Sequence, residues 1–452
     1  MKKICLLFTL LFTLLFAKNT FSQTIINRDP EISQMMNEIS KDSLQLYINT
    51  LVAFGTRSTL STQSNPDRGI GAARNWVLKT FNEFGKIASG RLSAYIDTTT
   101  IFPNGKRIDR PIILGNVMAT LRGTDPNEKR IFIISGHLDN MRTNVMDSTG
   151  DAPGADDDGS GTSAVLECAR IMSKHSFPAT IIFVAVSGEE QGLFGSTYMA
   201  EKAKKENWPI EAVLNNDIMG SNNSNETDII NNTKVRVFSE GIPHYETDKE
   251  IKRIMALGLE NDSKSRQLAR YVKEIGERYV DHLEVVMIYR TDRFLRGGDH
   301  LPYLENGFTA VRITEMNENY TRQHQNVRME NGIKYGDLPE HIDYEYLRKN
   351  TALNLANLAN LAKAPSVPEE VKIEIVRLSN TNSLSWLPPK TGKVKGYYVL
   401  VRETTSPVWE KKIFTTDTKM TLPYSKDNYF FAVQSVNDTG NESLPVIPAV
   451  SR

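Results

Sequence analysis

Four short apolar runs, strand-like in length, constrain the architecture more than anything else in this chain. Residues 131–134 (IFII), 180–186 (TIIFVAV), 212–214 (AVL) and 309–313 (TAVRI) are separated by segments of helical pattern such as 160–175. A strand that is apolar on successive residues has to be covered on both faces. Runs of this kind alternating with helices predict an α/β fold, a mostly parallel central sheet with helices on both faces. Helical spacing of apolar residues adds further helices within 29–54, 71–84 and 344–362, and a charged helical stretch over 245–280 that reads as a solvated face or a lid. Ligands of such sheets lie beyond the carboxyl ends of the strands. His137 follows the first run, Glu189 and Glu190 the second, and Asp217 the third.

Those residues belong to an ordered set of metal-type side chains: His137 in GHLDN, Asp157 in PGADDDGSG, Glu190 in SGEEQG, Asp217 in NNDIMG and His324 in RQHQN. Two histidines and three carboxylates suffice for two zinc ions that share one carboxylate, and an additional acid, Glu189, suits activation of water. The run Asp156-Asp157-Asp158 is costly without a cation or a helix N-terminus nearby. Asp157, in its middle, is the candidate bridging ligand. Asp139, two residues after His137, is placed to orient the imidazole through its carboxylate.

The chain opens with Met1-Lys2-Lys3, the apolar run 4–17 and small residues at Thr20 and Ser22. This is the pattern of a signal peptide spanning 1–22, too short for a membrane span, so the expected product is exported, periplasmic or secreted. Its removal takes three lysines from a balance of 54 basic against 54 acidic residues and leaves one cysteine, Cys168, in an apolar-patterned stretch. No intrachain disulfide is then possible, and Cys168 reads as a buried small hydrophobe. The balanced charge gives no sign of a nucleic-acid partner.

A proline-rich break at 364–368 separates this region from short alternating strands. The pattern Ser383-Leu-Ser-Trp386, Pro388-Pro389, the run 396–401, the run 429–433 and Gly440-Asn-Glu-Ser443 resembles a fibronectin type III domain. The resemblance implies an all-β sandwich over 364–452, built around Trp386, serving as a spacer or as a binding accessory for a surface or partner.

Across residues 35–360, the ordered motifs GHLD, PGADDDGSG, SGEEQGLFGS and NNDIMG, with a late histidine after GGDH-x-P, resemble metallopeptidase family 28, the co-catalytic di-zinc aminopeptidases. The resemblance implies a peptidase domain over 23–363 acting on peptide or protein N-termini. It implies His137 and Asp217 on one zinc, Glu190 and His324 on the other, and Asp157 bridging them. It also makes Glu189 the general base and acid, and Asp139 the orienter of His137. The departure lies at the last ligand, where this chain reads Asn319-Tyr-Thr-Arg-Gln-His324, so His300 in GGDH stays open beside His324. Three other readings stay open: a glutaminyl cyclase using one zinc, a carboxypeptidase on the same fold, and a metal-free binding protein.

Overall fold

The computed structural model describes residues 24, 26–376 and 378–451. The expected signal peptide lies outside the described residues. The first part of the chain runs α1 (Pro30–Asn37), α2 (Lys41–Ala53), α3 (Gly69–Ile87), β1 (Leu92–Ile101), β2 (Ile112–Leu121), β3 (Ile131–His137), α4 (Gly159–Met172), β4 (Thr180–Val186), α5 (Phe194–Lys205) and β5 (Ile210–Asn216). It continues through β6 (Lys234–Phe238), α6 (Asp248–Ala256), α7 (Lys264–Tyr279), β7 (Glu284–Ile288), α8 (Leu301–Glu305), β8 (Ala310–Glu315), the hairpin β9–β10 (Arg328–Glu330 and Ile333–Tyr335) and α9 (Tyr344–Lys363). The helical pattern of 29–54 is divided between α1 and α2, because Ser40 caps α2 by accepting from Ser43 N.

Eight strands form one sheet in the order β1-β2-β4-β3-β5-β8-β6-β7. Its centre, β4-β3-β5-β8, is parallel; β2 and β6 flank it antiparallel, β1 pairs antiparallel with β2, and β7 pairs parallel with β6. The central strands end level with one another: His137 pairs with Val186, Gly136 with Asn216, and Asn216 with Ile313. Both faces are buried, with the two-residue period of a strand. Along β4, Ile181, Phe183 and Ala185 enter the core beneath α2, α3, α4, α7 and α9, while Ile182, Val184 and Val186 enter the one beneath α5 and α8. Cys168 lies fully buried in the larger core. No helix among the described residues is long and apolar enough to cross a membrane.

The charged stretch 245–280 departs from the solvated face or lid expected of it. Helix α6 buries none of its residues, but α7 packs Leu268, Tyr271, Val272 and Ile275 into the core, against α9 and β8. Two of the α7 arginines, Arg270 and Arg278, are held in buried ion pairs with Asp262 and Glu442. After α9 come seven strands, β11 (Glu369–Glu374), β12 (Asn382–Leu387), β13 (Gly396–Glu403), β14 (Lys411–Thr415), β15 (Lys419–Leu422), β16 (Tyr429–Val436) and β17 (Ala449–Ser451). They form two sheets, β15-β12-β11-β17 and β14-β13-β16, which enclose a core of Val371, Leu384, Trp386, Val399, Val401 and Val433. Trp386 meets Tyr397 edge to face at 5.4 Å.

This all-β sandwich is joined to the α/β part through charge. Glu442, with no exposed surface, accepts from Arg278 Nη2 at 2.5 Å and Lys412 Nζ at 2.7 Å, while the Tyr271 hydroxyl donates to the Glu442 carbonyl at 2.8 Å. Arg270 and Arg402, one from each part, share Asp262 at 3.0 and 2.6 Å. Burial alone would raise the Glu442 carboxyl, but Lys412 and Arg278 bring it down to about 2 from 4.5. A folded-state value below the unfolded one means stability that is present above pH 4.5 and is lost as the pH falls towards 2. Glu442→Gln is expected to cost about 3 kcal/mol at pH 7, the low end for breaking a buried pair, because Arg278 and Lys412 then keep only the less buried Glu274 between them. Urea unfolding should show that difference shrinking below pH 4.5; an equal difference at pH 7 and pH 3 would contradict it.

Candidate metal centre

The level carboxyl ends of β3, β4 and β5 deliver the expected side chains to one place, and glycines make that delivery possible. At Gly136 a Cβ would stand 2.5 Å from the Gly161 backbone, so only glycine lets α4 approach the strand before His137. Gly188, at φ +81°, turns the chain out of β4 so that Glu189 and Glu190 cross the end of the sheet. The acidic loop is fastened by its neighbours. Asp158 accepts from His137 N (2.8 Å), Gly161 N (2.8 Å) and Ile218 N (3.2 Å), tying the ends of β3 and β5 to the start of α4. Asp337 accepts from the amides of Asp156 and Asp157, and buried Arg57 donates to the carbonyls of Leu138, Pro153 and Gly154. The peptide between Asp157 and Asp158 is cis.

The result is a shared carboxylate between two imidazoles. Asp157 Oδ1 stands 3.1 Å from His137 Nε2, and Asp157 Oδ2 stands 2.9 Å from His324 Nε2. On the first side Asp217 Oδ1 lies 3.7 Å from His137 Nε2; on the second Glu190 Oε2 lies 3.2 Å from His324 Nε2. Ligand atoms of His137, Glu189 and Asp217 fall within 4.8 Å of one another, as do those of His137, Asp157 and Glu190. His137 Nδ1 donates to the Asp139 carbonyl at 2.9 Å, which leaves Nε2 as the ring nitrogen that faces this cluster.

Asp139 therefore corrects one expectation. Its main-chain carbonyl orients the imidazole, while its carboxylate stands 3.9 Å from Nδ1. That carboxylate accepts instead from Thr59 Oγ1 (3.0 Å) and from the amides of Glu189 (3.3 Å) and Glu190 (3.2 Å), so it positions the acid pair. His300 is not at the cluster: its Nε2 donates to the Thr291 carbonyl at 2.7 Å, and of the two histidines left open it is His324 that faces Asp157. His324 holds a left-handed backbone, φ 56°. Arg312 was missed, although a charged residue inside an apolar strand run was a visible signal. It is fully buried, with Nη2 3.0 Å from Asp217 Oδ2.

The electrostatics are those of a site built for cations. Burial should depress both imidazoles, yet the carboxylates around them push His137 and His324 well above the usual histidine range. Burial would raise Asp157, but His324 and His137 hold it well below the carboxylate range. Glu189 goes the other way: burial raises it well above the usual value against the pull of His137, and the charges of Glu190 and Asp217 add to the rise. Glu190 Oε1 is buried with no hydrogen-bond partner among the described residues. A tetrahedral ion bound at about 2.0–2.1 Å separates its donors by about 3.3 Å. The N–O separations of 2.9–3.7 Å fit that, as do the imidazole and carboxylate donors themselves.

The sequence profile of Peptidase family M28 matches residues 116–354. The chain belongs to this family. A probable zinc metalloprotease of Leptosphaeria maculans is 42% identical to this M28 member over 421 residues, 93% of this chain and 97% of that protein. One of Pyricularia oryzae is 39% identical over 429 residues, covering 93% and 84%. Among solved structures, the LapA aminopeptidase of Legionella pneumophila is similar in fold, with a TM-score of 0.51 at 20% identity over 77% of this chain and 78% of that one. The aminopeptidase from Aneurinibacillus sp. strain AM-1 has a TM-score of 0.51 at 13% identity, covering 72% and 95%.

His324→Ala is expected to lower the zinc retained per chain of this M28 member after dialysis, as measured by elemental analysis. His300→Gln should leave it at the wild-type value. The reverse pattern would move the last ligand to His300.

Proposed function

We propose that this chain is an exported aminopeptidase that hydrolyses the N-terminal peptide bond with two zinc ions. The observation that carries this reading is Asp157, whose two oxygens are divided between His137 and His324. The names of its relatives, probable zinc metalloproteases, and of its structural neighbours, aminopeptidases, point the same way. His137 and Asp217 would hold one ion, His324 and Glu190 the other, and Asp157 both. When bound, zinc supplies Lewis acidity that polarises the scissile carbonyl and makes water a nucleophile near neutral pH.

Glu189 takes the proton of the attacking water. As the C–N bond breaks it delivers that proton to the leaving amine, so the oxygen ends on the carbonyl carbon and the hydrogen on nitrogen. Asp139 holds the Glu189 and Glu190 amides and so keeps that carboxylate in reach. The free α-amine of a substrate would sit near Glu189, Asp217 and one of the two ions. In this reading the signal peptide ends before Gln23, residues 23–363 are the peptidase domain, and 364–452 are a fibronectin type III-like accessory.

The test combines zinc stoichiometry with release of an amino acid from aminoacyl-anilides. Two zincs per chain, chelator-sensitive release, and no release from the N-acetylated substrate are expected. One zinc with cyclisation of N-terminal glutamine would replace the reading with a cyclase; release from the carboxyl end only would make it a carboxypeptidase. No metal and no turnover would leave a binding protein. Glu189→Gln should lower kcat by about a thousandfold with zinc retained, the loss of a general base. Near-wild-type turnover in that variant would remove Glu189 from the chemistry.

A further inference from the structure

Asp217 is the ligand candidate with a cation of its own. Its Oδ1 faces His137 while Arg312 Nη2 stands 3.0 Å from its Oδ2. The approach is too oblique for a hydrogen bond, so the attraction is one of charge. Arg312 is itself pinned: Nη1 donates to the Gly297 carbonyl at 3.0 Å and stands 3.4 Å from Asp292 Oδ2. Room for it comes from Gly298, where a Cβ would lie 2.8 Å from Arg312 Nη1 and 3.1 Å from Asp292 Oδ2. Asp157 has no such partner; both of its oxygens face imidazoles.

We infer that Arg312 is a positioning residue that occupies the outer oxygen of Asp217, so that this carboxylate is held with its other oxygen toward the metal on the His137 side. The inference rests on the two-zinc reading and deepens it: the two metal positions are chemically unequal. The His137–Asp217 position has a ligand held in place by a guanidinium, and the His324–Glu190 position does not. Loss of the partner frees Asp217 to turn. Outer partners of metal ligands are typically worth about 10–100-fold in metal affinity.

The experiment is zinc competition against a graded chelator, read by elemental analysis on the full chain, for wild type, Arg312→Gln and Gly298→Ala. Arg312→Gln removes the charge; Gly298→Ala keeps it and crowds the guanidinium, and so serves if the first variant fails to fold. Expected is one zinc weakened about 10–100-fold in Arg312→Gln and weakened less in Gly298→Ala, with the other zinc unchanged in both. Unchanged zinc affinities in folded variants that have merely lost thermal stability would reduce Arg312 to a structural role and overturn the inference. Equal weakening of both ions would overturn it too. Wild-type stoichiometry judges the two-zinc reading separately, since the inference is read from the ratio of variant to wild type.

Discussion

Asp157 lies between two imidazoles, and nearly everything around it exists to keep a charged carboxylate in a buried place. Desolvation opposes its charge, and His137 and His324 outweigh that opposition. The same carboxylates hold both histidines well above their usual range. Each group is therefore stabilised in its charged form by the other, while Glu190 Oε1 stays buried with no hydrogen-bond partner among the described residues. Divalent cations satisfy such a cluster more fully than protons do, because one ion can meet several donors at once.

The scaffold is arranged to hold the loops against their own repulsion. Asp158 uses its carboxylate on three amides from three segments, and Asp337 holds the amides of Asp156 and Asp157. Arg57 directs its guanidinium to carbonyls rather than to carboxylates, and it is buried for that purpose. Of the three acids in the run, it is Asp157 whose two oxygens face the imidazoles. The neighbours of Asp157 are fasteners, and their positions decide where its two oxygens point.

The parallel strands and their carboxyl-end residues were legible in the sequence because burial on both faces leaves a plain apolar run, and the chain must turn where it stops. The positions of His137, Glu189, Glu190 and Asp217 follow from that. His324 was legible only through family likeness, since it stands in a loop with no periodicity, and its choice over His300 needed the geometry. Asp139 was half legible: proximity to His137 was right, but whether a carbonyl or a carboxylate reaches the ring depends on backbone direction, which spacing does not encode. Helix α7 was hidden because its charged residues suggest solvent. They are instead partners of acids that lie far away in the chain, such as Glu442 for Arg278, and a sequence window cannot contain both.

Those distant pairs also fix what the β sandwich can contribute. Arg130, at the start of β3, donates to the carbonyl of Ala364 at 2.6 Å, and Thr391 donates to Glu128 at 2.6 Å. The sandwich thus meets the sheet at the amino ends of its parallel strands, whereas His137, Glu190 and Asp217 lie at the carboxyl ends. Its joint, with Glu442 and Asp262 each buried between two cations, resists sliding because any displacement would strand a charge away from water. A part fixed so firmly at the far end buttresses α7 and the end of α9 and stands away from His137, Glu190 and Asp217. The loops that carry Glu189 and His324, and the buried Arg312 of β8, stand at the opposite end of the sheet from this joint.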